Sequence, residues 1–224
     1  MGIRAVAFDV DGTLYPNIKM YLRAIRFFIK HPLLMYHFNT VRNRIRSIRP
    51  IDNFWELQAE MLAELNGNTR EEAEEIIDKL MYDEWEQIFK GIKVFPEIHG
   101  ILRSLKQDGI RLGVLSDFRV HTKLAYMQLE GFWDGVVSSE ESGYLKPNTE
   151  PFLLLAERLN LPPESVLYVG NHYQYDIIGA KDAGMKAAYF GSTCFASTRG
   201  AENCRADVVF STYKNFLQKI QRII

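Results

Sequence analysis

The stretch Asp9-Val10-Asp11-Gly12-Thr13-Leu14 sets two carboxylates two residues apart, directly after the short apolar run Ile3 to Phe8. Ionised side chains at the end of a buried strand need a partner that offsets desolvation, and a divalent cation is the natural one. A carboxylate so placed can attack phosphorus and form an acyl-phosphate that water later hydrolyses. A second carboxylate can give a proton to a leaving group and then take one from water. Gly12 permits a tight turn, and the amides after it can face phosphate oxygens.

These residues need a scaffold, and periodicity predicts it. Length and β-branching make Ile3 to Phe8 a buried strand. Residues of about 17–90 carry no strand pattern. Tyr21, Leu22, Ile25, Phe28 and Ile29 recur at helical spacing, as do Phe54, Leu57, Met61, Leu62 and Leu65. Asn66-Gly67-Asn68 stops that helix, and Thr69 with Glu72 is the capping signal for one through Met81. From about Val94, strands at 111–115, 135–138, 166–169, 186–190 and 207–210 alternate with helices near 97–107, 120–130, 149–159 and 174–183, before a terminal helix through Ile223. The expected class is α/β: a Rossmann-like parallel sheet flanked by helices, with an inserted all-helical segment. Such sheets bind ligands beyond the carboxyl ends of their strands. Asp9–Thr13, Ser116–Asp117 and Gly170–Asp176 all fall there.

Asp9–Leu14, Ser116, Lys146-Pro147 and the run Gly170-Asn171-His172-Tyr173-Gln174-Tyr175-Asp176 resemble, in order, the four motifs of the haloacid dehalogenase-like hydrolase superfamily, phosphatase type with a C1 helical cap. Ala180 and Ala183-Gly184-Met185 resemble the helix and turn that follow the fourth. The resemblance spans the chain and implies a catalytic core of residues 1–16 and 92–224 around a cap of 17–91. It implies Asp9 as nucleophile, Asp11 as general acid and base, and Lys146 as the ammonium that neutralises nucleophile and phosphate. Gly12, Thr13, Ser116 and Asp117 would line the phosphoryl site. Mg2+ would be held by Asp9, the main-chain carbonyl of Asp11, Asn171 and Asp176. The implied reaction is hydrolysis of a small phosphorylated metabolite, such as a sugar phosphate, phosphoglycolate or a nucleotide, through an aspartyl-phosphate. Dehalogenating members lack the second aspartate, so Asp11 disfavours carbon–halogen cleavage. The alternatives are a low-activity binding or regulatory protein on the same fold, and a phosphonate hydrolase. The latter needs a Schiff-base lysine from the cap, and Lys19, Lys30, Lys79 and Lys90 stand in no context that argues for one.

Some positions depart from the pattern. Asn171 replaces the first acidic residue of the fourth motif, and its uncharged carbonyl should bind metal more weakly. Asp117 stands where Asn is common; its side chain either turns away or meets a substrate hydroxyl or amine. His172 is a loop residue or a contact to metal-bound water or leaving group. Charges from Lys19 to Arg49 are all basic, whereas those from Glu56 to Glu86 are mostly acidic. Mutual pairing of antiparallel cap helices is the expected consequence. Arginines reaching a second substrate anion, or a basic aromatic stretch touching a membrane surface or partner, are the other readings.

The remaining composition bounds the partners. A formal net charge of −1 gives no general pull toward nucleic acid. The longest charge-free stretches fall short of the roughly 20 apolar residues that cross a bilayer, so no membrane association is expected. Cys194 and Cys204 lack metal-ligand spacing and are expected to be free thiols. A cytoplasmic enzyme is the default, and a homodimer is compatible with the sequence.

Overall fold

The computed structural model describes residues 2–192, 204–221 and 223 of the 224-residue chain. Strands β1 (Ala5–Phe8), β2 (Arg111–Ser116), β3 (Gly135–Ser138), β4 (Val166–Gly170), β5 (Lys186–Phe190) and β6 (Val208–Phe210) form one parallel sheet. Their order is β3-β2-β1-β4-β5-β6. Successive β1 side chains point to opposite faces. Val6 and Phe8 join the core that holds Ile98, Ile101, Leu102 and Leu105 of helix Ile98–Gln107. Ala5 and Ala7 join the opposite core, with Phe152, Leu155 and Leu159. Strand order reverses beside β1, between β2 and β4, which is where such sheets open a crevice. Phe8 is level with Val114 and Val169, and Asp9 N still bonds Val169 O at 2.9 Å. Asp9 therefore leaves the sheet at that crevice.

Between β1 and β2 the chain forms a helical cap. Its elements are α1 (Asn17–Lys30), α2 (Pro32–Ile45), α3 (Phe54–Asn66) and α4 (Arg70–Ile76), which runs on through the wider-turned segment Ile77–Glu84 to Gln87. The local signals act as expected. Asn53 caps α3, Gly67 ends it at φ 73°, and Thr69 and Glu72 form a reciprocal capping box on α4. The apolar residues whose spacing predicts α1 are not its buried face. Met20, Ala24 and Phe27 are its buried side, while Tyr21, Leu22, Ile25 and Ile29 are exposed. Periodicity marks a face as apolar without saying what covers it.

The cap's charges also pair differently from expectation. Lys30–Glu84 crosses between cap helices at 3.9 Å and is exposed. Three pairs join cap to core instead, the first two of them buried or largely so. Arg42 of α2 binds Glu140, which also accepts from Tyr82 at 2.9 Å, and both members of the pair are almost wholly buried. Arg46 binds Asp117 at 2.7 Å, and Arg49 binds Glu150. A charge run identifies no partner; the seating of α2 over the strand ends does.

Cys204 is disulfide-bonded, which corrects the expectation of a free thiol. Spacing in sequence does not report the Cα approach that decides bridging. Cys194 lies outside the described residues. Among the described residues no helix is long and apolar enough to cross a membrane.

Candidate active site

Each element delivers one part of the cluster. After β1 the chain turns sharply, with Thr13 N and Leu14 N both bonded to Val10 O. Gly12 sits at φ 86° inside this turn, and a Cβ there would meet Asn171 Nδ2 at 2.2 Å. Glycine is required by both conformation and space. Tyr213 donates to Thr13 O at 2.8 Å and braces the turn from below.

Asp9 is buried, and each carboxylate oxygen has a donor. Lys146 Nζ reaches Oδ1 at 2.8 Å, and Thr13 Oγ1 reaches Oδ2 at 2.9 Å. Lys146 Nζ also donates to Asp176 Oδ1 at 2.7 Å. The other Asp176 oxygen accepts from His172 N at 2.8 Å. Asp176 folds back on Gly170, where a Cβ would lie 2.3 Å from its own. The lysine is thus clamped between two buried carboxylates. Burial opposes its charge, yet Asp176 and Asp9 hold its pKa well above the usual lysine value. Asp9 is pushed up to about 7, first by burial and then by Asp176 and Asp11, against the lowering effect of Lys146.

Thr13 Oγ1 lies 3.3 Å from Asn171 Oδ1 as well, so the Asp9 and Asn171 oxygens converge on one hydroxyl. Among the described residues no three acidic, histidine or cysteine side chains gather as a metal site. An oxygen-only set of one carboxylate and one amide suits a hard cation that keeps most of its waters. Ser116, fully buried at the end of β2, accepts from Phe118 N at 3.4 Å.

Asp11 points elsewhere. Its Oδ1 accepts from Tyr15 OH at 2.6 Å, and its Oδ2 from Lys123 Nζ at 2.9 Å. Lys123 is 1% exposed, and its ammonium lies 4.4 Å from the Phe89 ring centre. Sequence reasoning missed both partners. Lys123 carried a signal, because it shares a helical face with Val120, Leu124 and Met127, where a lone cation needs a counter-ion. Tyr15 carried none beyond its place beside the turn. His172 stacks on Tyr175 at 4.1 Å and accepts from Tyr175 N, and burial holds its imidazole below its ordinary pKa.

Asp117 neither turns away nor stands open. Arg46 takes Oδ2, and Lys146 N reaches Oδ1 at 3.2 Å. Burial would raise this carboxyl, but Arg46, Lys146 and Arg42 hold it well below its ordinary 3.8. A group depressed in the folded state adds stability that is present above its unfolded value and lost as pH falls. Asp117→Asn should therefore be less stable than the native chain near neutrality, and the gap should narrow below about pH 4. Thermal melts of both proteins from neutral to acid check this. A gap independent of pH would contradict it.

Residues 3–184 match the family model described as haloacid dehalogenase-like hydrolase, and the chain belongs to that family of hydrolases. It is 30% identical over 203 residues to a glyceraldehyde 3-phosphate phosphatase of Methanopyrus kandleri, covering 82% of each chain. It is 28% identical over 195 residues to the pyrophosphatase PpaX of Bacillus cereus, covering 84% of this chain and 83% of that one. A solved 2-haloacid dehalogenase from Pseudomonas syringae shares the fold at TM-score 0.68 and 23% identity, over 98% and 99% of the two chains.

Proposed function

We propose that the protein is a magnesium-dependent phosphomonoester hydrolase that works through an aspartyl-phosphate on Asp9. The observation that carries this reading is the Asp9–Lys146–Asp176 chain at the tip of β1, where a buried carboxylate is held by a buried ammonium. The relatives named for phosphatase and pyrophosphatase activity support it. We assign the core to residues 1–16 and 92–224 and the cap to 17–91, as the position of α1 to Gln87 between β1 and β2 suggests.

In this mechanism Asp9 attacks phosphorus, and the leaving alcohol departs on the opposite side. Lys146 and the Ser116 hydroxyl neutralise and orient phosphoryl oxygens, and the amides after Gly12 add donors. Asp176 has both oxygens engaged, so we read it as the group that positions Lys146, with any metal contact passing through water. Asp11 gives the leaving oxygen its proton and then takes one from the water that cleaves the acyl-phosphate. It performs this after releasing Lys123 and Tyr15, to which its carboxylate is bonded. Asp117 serves to tether the cap. Asp9, the Asp11 main-chain carbonyl and Asn171 would hold Mg2+, which supplies the charge that lets two anions approach.

The test is hydrolysis of acetyl phosphate and an aryl phosphate with and without magnesium. Turnover that depends on the metal is expected. A folded chain that hydrolyses no phosphomonoester would leave the binding-protein reading instead. Because Asn171 contributes no charge, Asn171→Asp should lower the magnesium concentration giving half-maximal rate, by roughly tenfold. An unchanged or higher requirement would count against Asn171 as a ligand.

A further inference from the structure

A cavity of about 500 Å3 lies inside the cap between α1, α2 and the wide-turned segment, walled by Met20, Met35, Phe38, Trp85, Phe118 and Arg46 among others. That volume falls in the ordinary range of small-molecule sites, roughly 300–1,000 Å3. Tyr21 and Tyr36 of its lining are 51% and 69% exposed. Its inner end meets the catalytic cluster. Arg46 donates to Lys146 O and to Asp117, and Phe118 is two residues beyond Ser116 with its ring centre 5.3 Å from Lys123 Nζ. Arg46 therefore links the cavity's wall to the main chain of Lys146.

The chemistry of that wall selects what can fill it. Among the described residues, the charged side chains lining the cavity are Arg42 and Arg46. Arg42 is spent on Glu140, Gln58 and Asp117 O. Arg46 is spent on Asp117 and Lys146 O and lies 4.2 Å from the Tyr175 ring centre. Neither offers free charge to a second anion. Arg46 Nε is buried with no hydrogen-bond partner. A buried donor left unmade is costly, although this atom is closed off from the cavity as well as from bulk solvent. Apart from the Asn39 amide and the two tyrosine hydroxyls, the rest of the wall is thioether and aromatic, surfaces that adapt to apolar chains.

We infer that this cavity seats the apolar part of the substrate's alcohol, an alkyl or arylalkyl group, with the ester oxygens at the Arg46 end. The inference rests on the phosphohydrolase reading and narrows it, away from sugar phosphates and nucleotides. The wild-type chain should show a kcat/KM for n-hexyl and phenethyl phosphates at least about tenfold above that for a hexose phosphate. With the hexose phosphorylated on its primary 6-hydroxyl, all three carry a primary alcohol as leaving group, so intrinsic reactivity does not decide the comparison. In Met35→Trp, which fills the cavity, the ratio of hexyl to acetyl phosphate kcat/KM should fall at least about tenfold. Met35→Phe replaces it, with a smaller fall expected, if the tryptophan disrupts the cap. Hexose phosphate turned over as well as hexyl phosphate, with acetyl phosphate also hydrolysed, would overturn the inference and leave the phosphatase reading standing. An unchanged ratio in a folded Met35 variant would overturn it too. Should no ester be hydrolysed, the phosphatase reading fails, and calorimetry decides the cavity's chemistry. Hexyl phosphate binding more tightly than inorganic phosphate would support it, and equal binding would overturn it.

Discussion

Asp9→Asn is expected to abolish turnover, by on the order of 10^4-fold or more, while leaving the chain folded. The substitution is nearly isosteric, so Thr13 keeps an acceptor at its 2.9 Å neighbour. What is lost is the anion that forms the bond to phosphorus. Folding should not suffer, because burial works against the Asp9 charge and pushes its pKa up to about 7. A neutral amide is free of that cost, although Lys146 loses one of its two carboxylate partners. In chelator the thermal midpoint should match or exceed that of the native chain, whereas phosphoester hydrolysis should fall to background. A variant retaining a tenth of native activity would remove Asp9 from the role of nucleophile.

Lys146→Met should damage both activity and fold. Lys146 is 4% exposed and faces Asp9 at 2.8 Å and Asp176 at 2.7 Å. Without it, two carboxylates remain in a buried space with no cation between them. Breaking such a pair from one side costs about 3–5 kcal/mol, because an uncompensated charge is left behind. Loss of the ammonium from the reacting anions should lower kcat by on the order of 10^3-fold. The pH dependence separates this cause from simple loss of packing. Orphaned buried carboxylates titrate above their unfolded values, so the stability they retain when protonated is lost as pH rises. The deficit of Lys146→Met in urea unfolding should therefore be largest at neutral pH and shrink toward pH ~5. A variant as stable as the native chain at neutrality would contradict the clamp described for this site.

The parts of this site that repeat a local pattern were readable in advance. Asp9, Gly12 and Thr13 follow a buried strand, and the structure brings them to Lys146, Asp176 and Asn171 through strand ends that alternation alone predicts. The strands expected at 111–115, 135–138, 166–169 and 186–190 appear within a residue of their expected ends. What escaped were contacts fixed by tertiary geometry. Helix α2 was not singled out, and its Arg42, with Arg46 beyond its end, meets partners about a hundred residues or more than seventy away. Lys123 is 112 residues from Asp11, and no spacing rule connects them. The helical spacing in α1 was legible, but which of its faces is covered was not, because amphipathicity reports composition by face and is silent on contact.

The central claim is that phosphorus becomes bonded to one particular carboxylate. Acid quenching during turnover, borohydride reduction and peptide mass mapping test it directly, because an acyl-phosphate is reduced to an alcohol while free carboxylates survive. Reduction confined to the Asp9 position in the native chain, and absent from Asp9→Asn, is the predicted result. Reduction at Asp11 or another carboxylate, or phosphate found on Ser116, would contradict it.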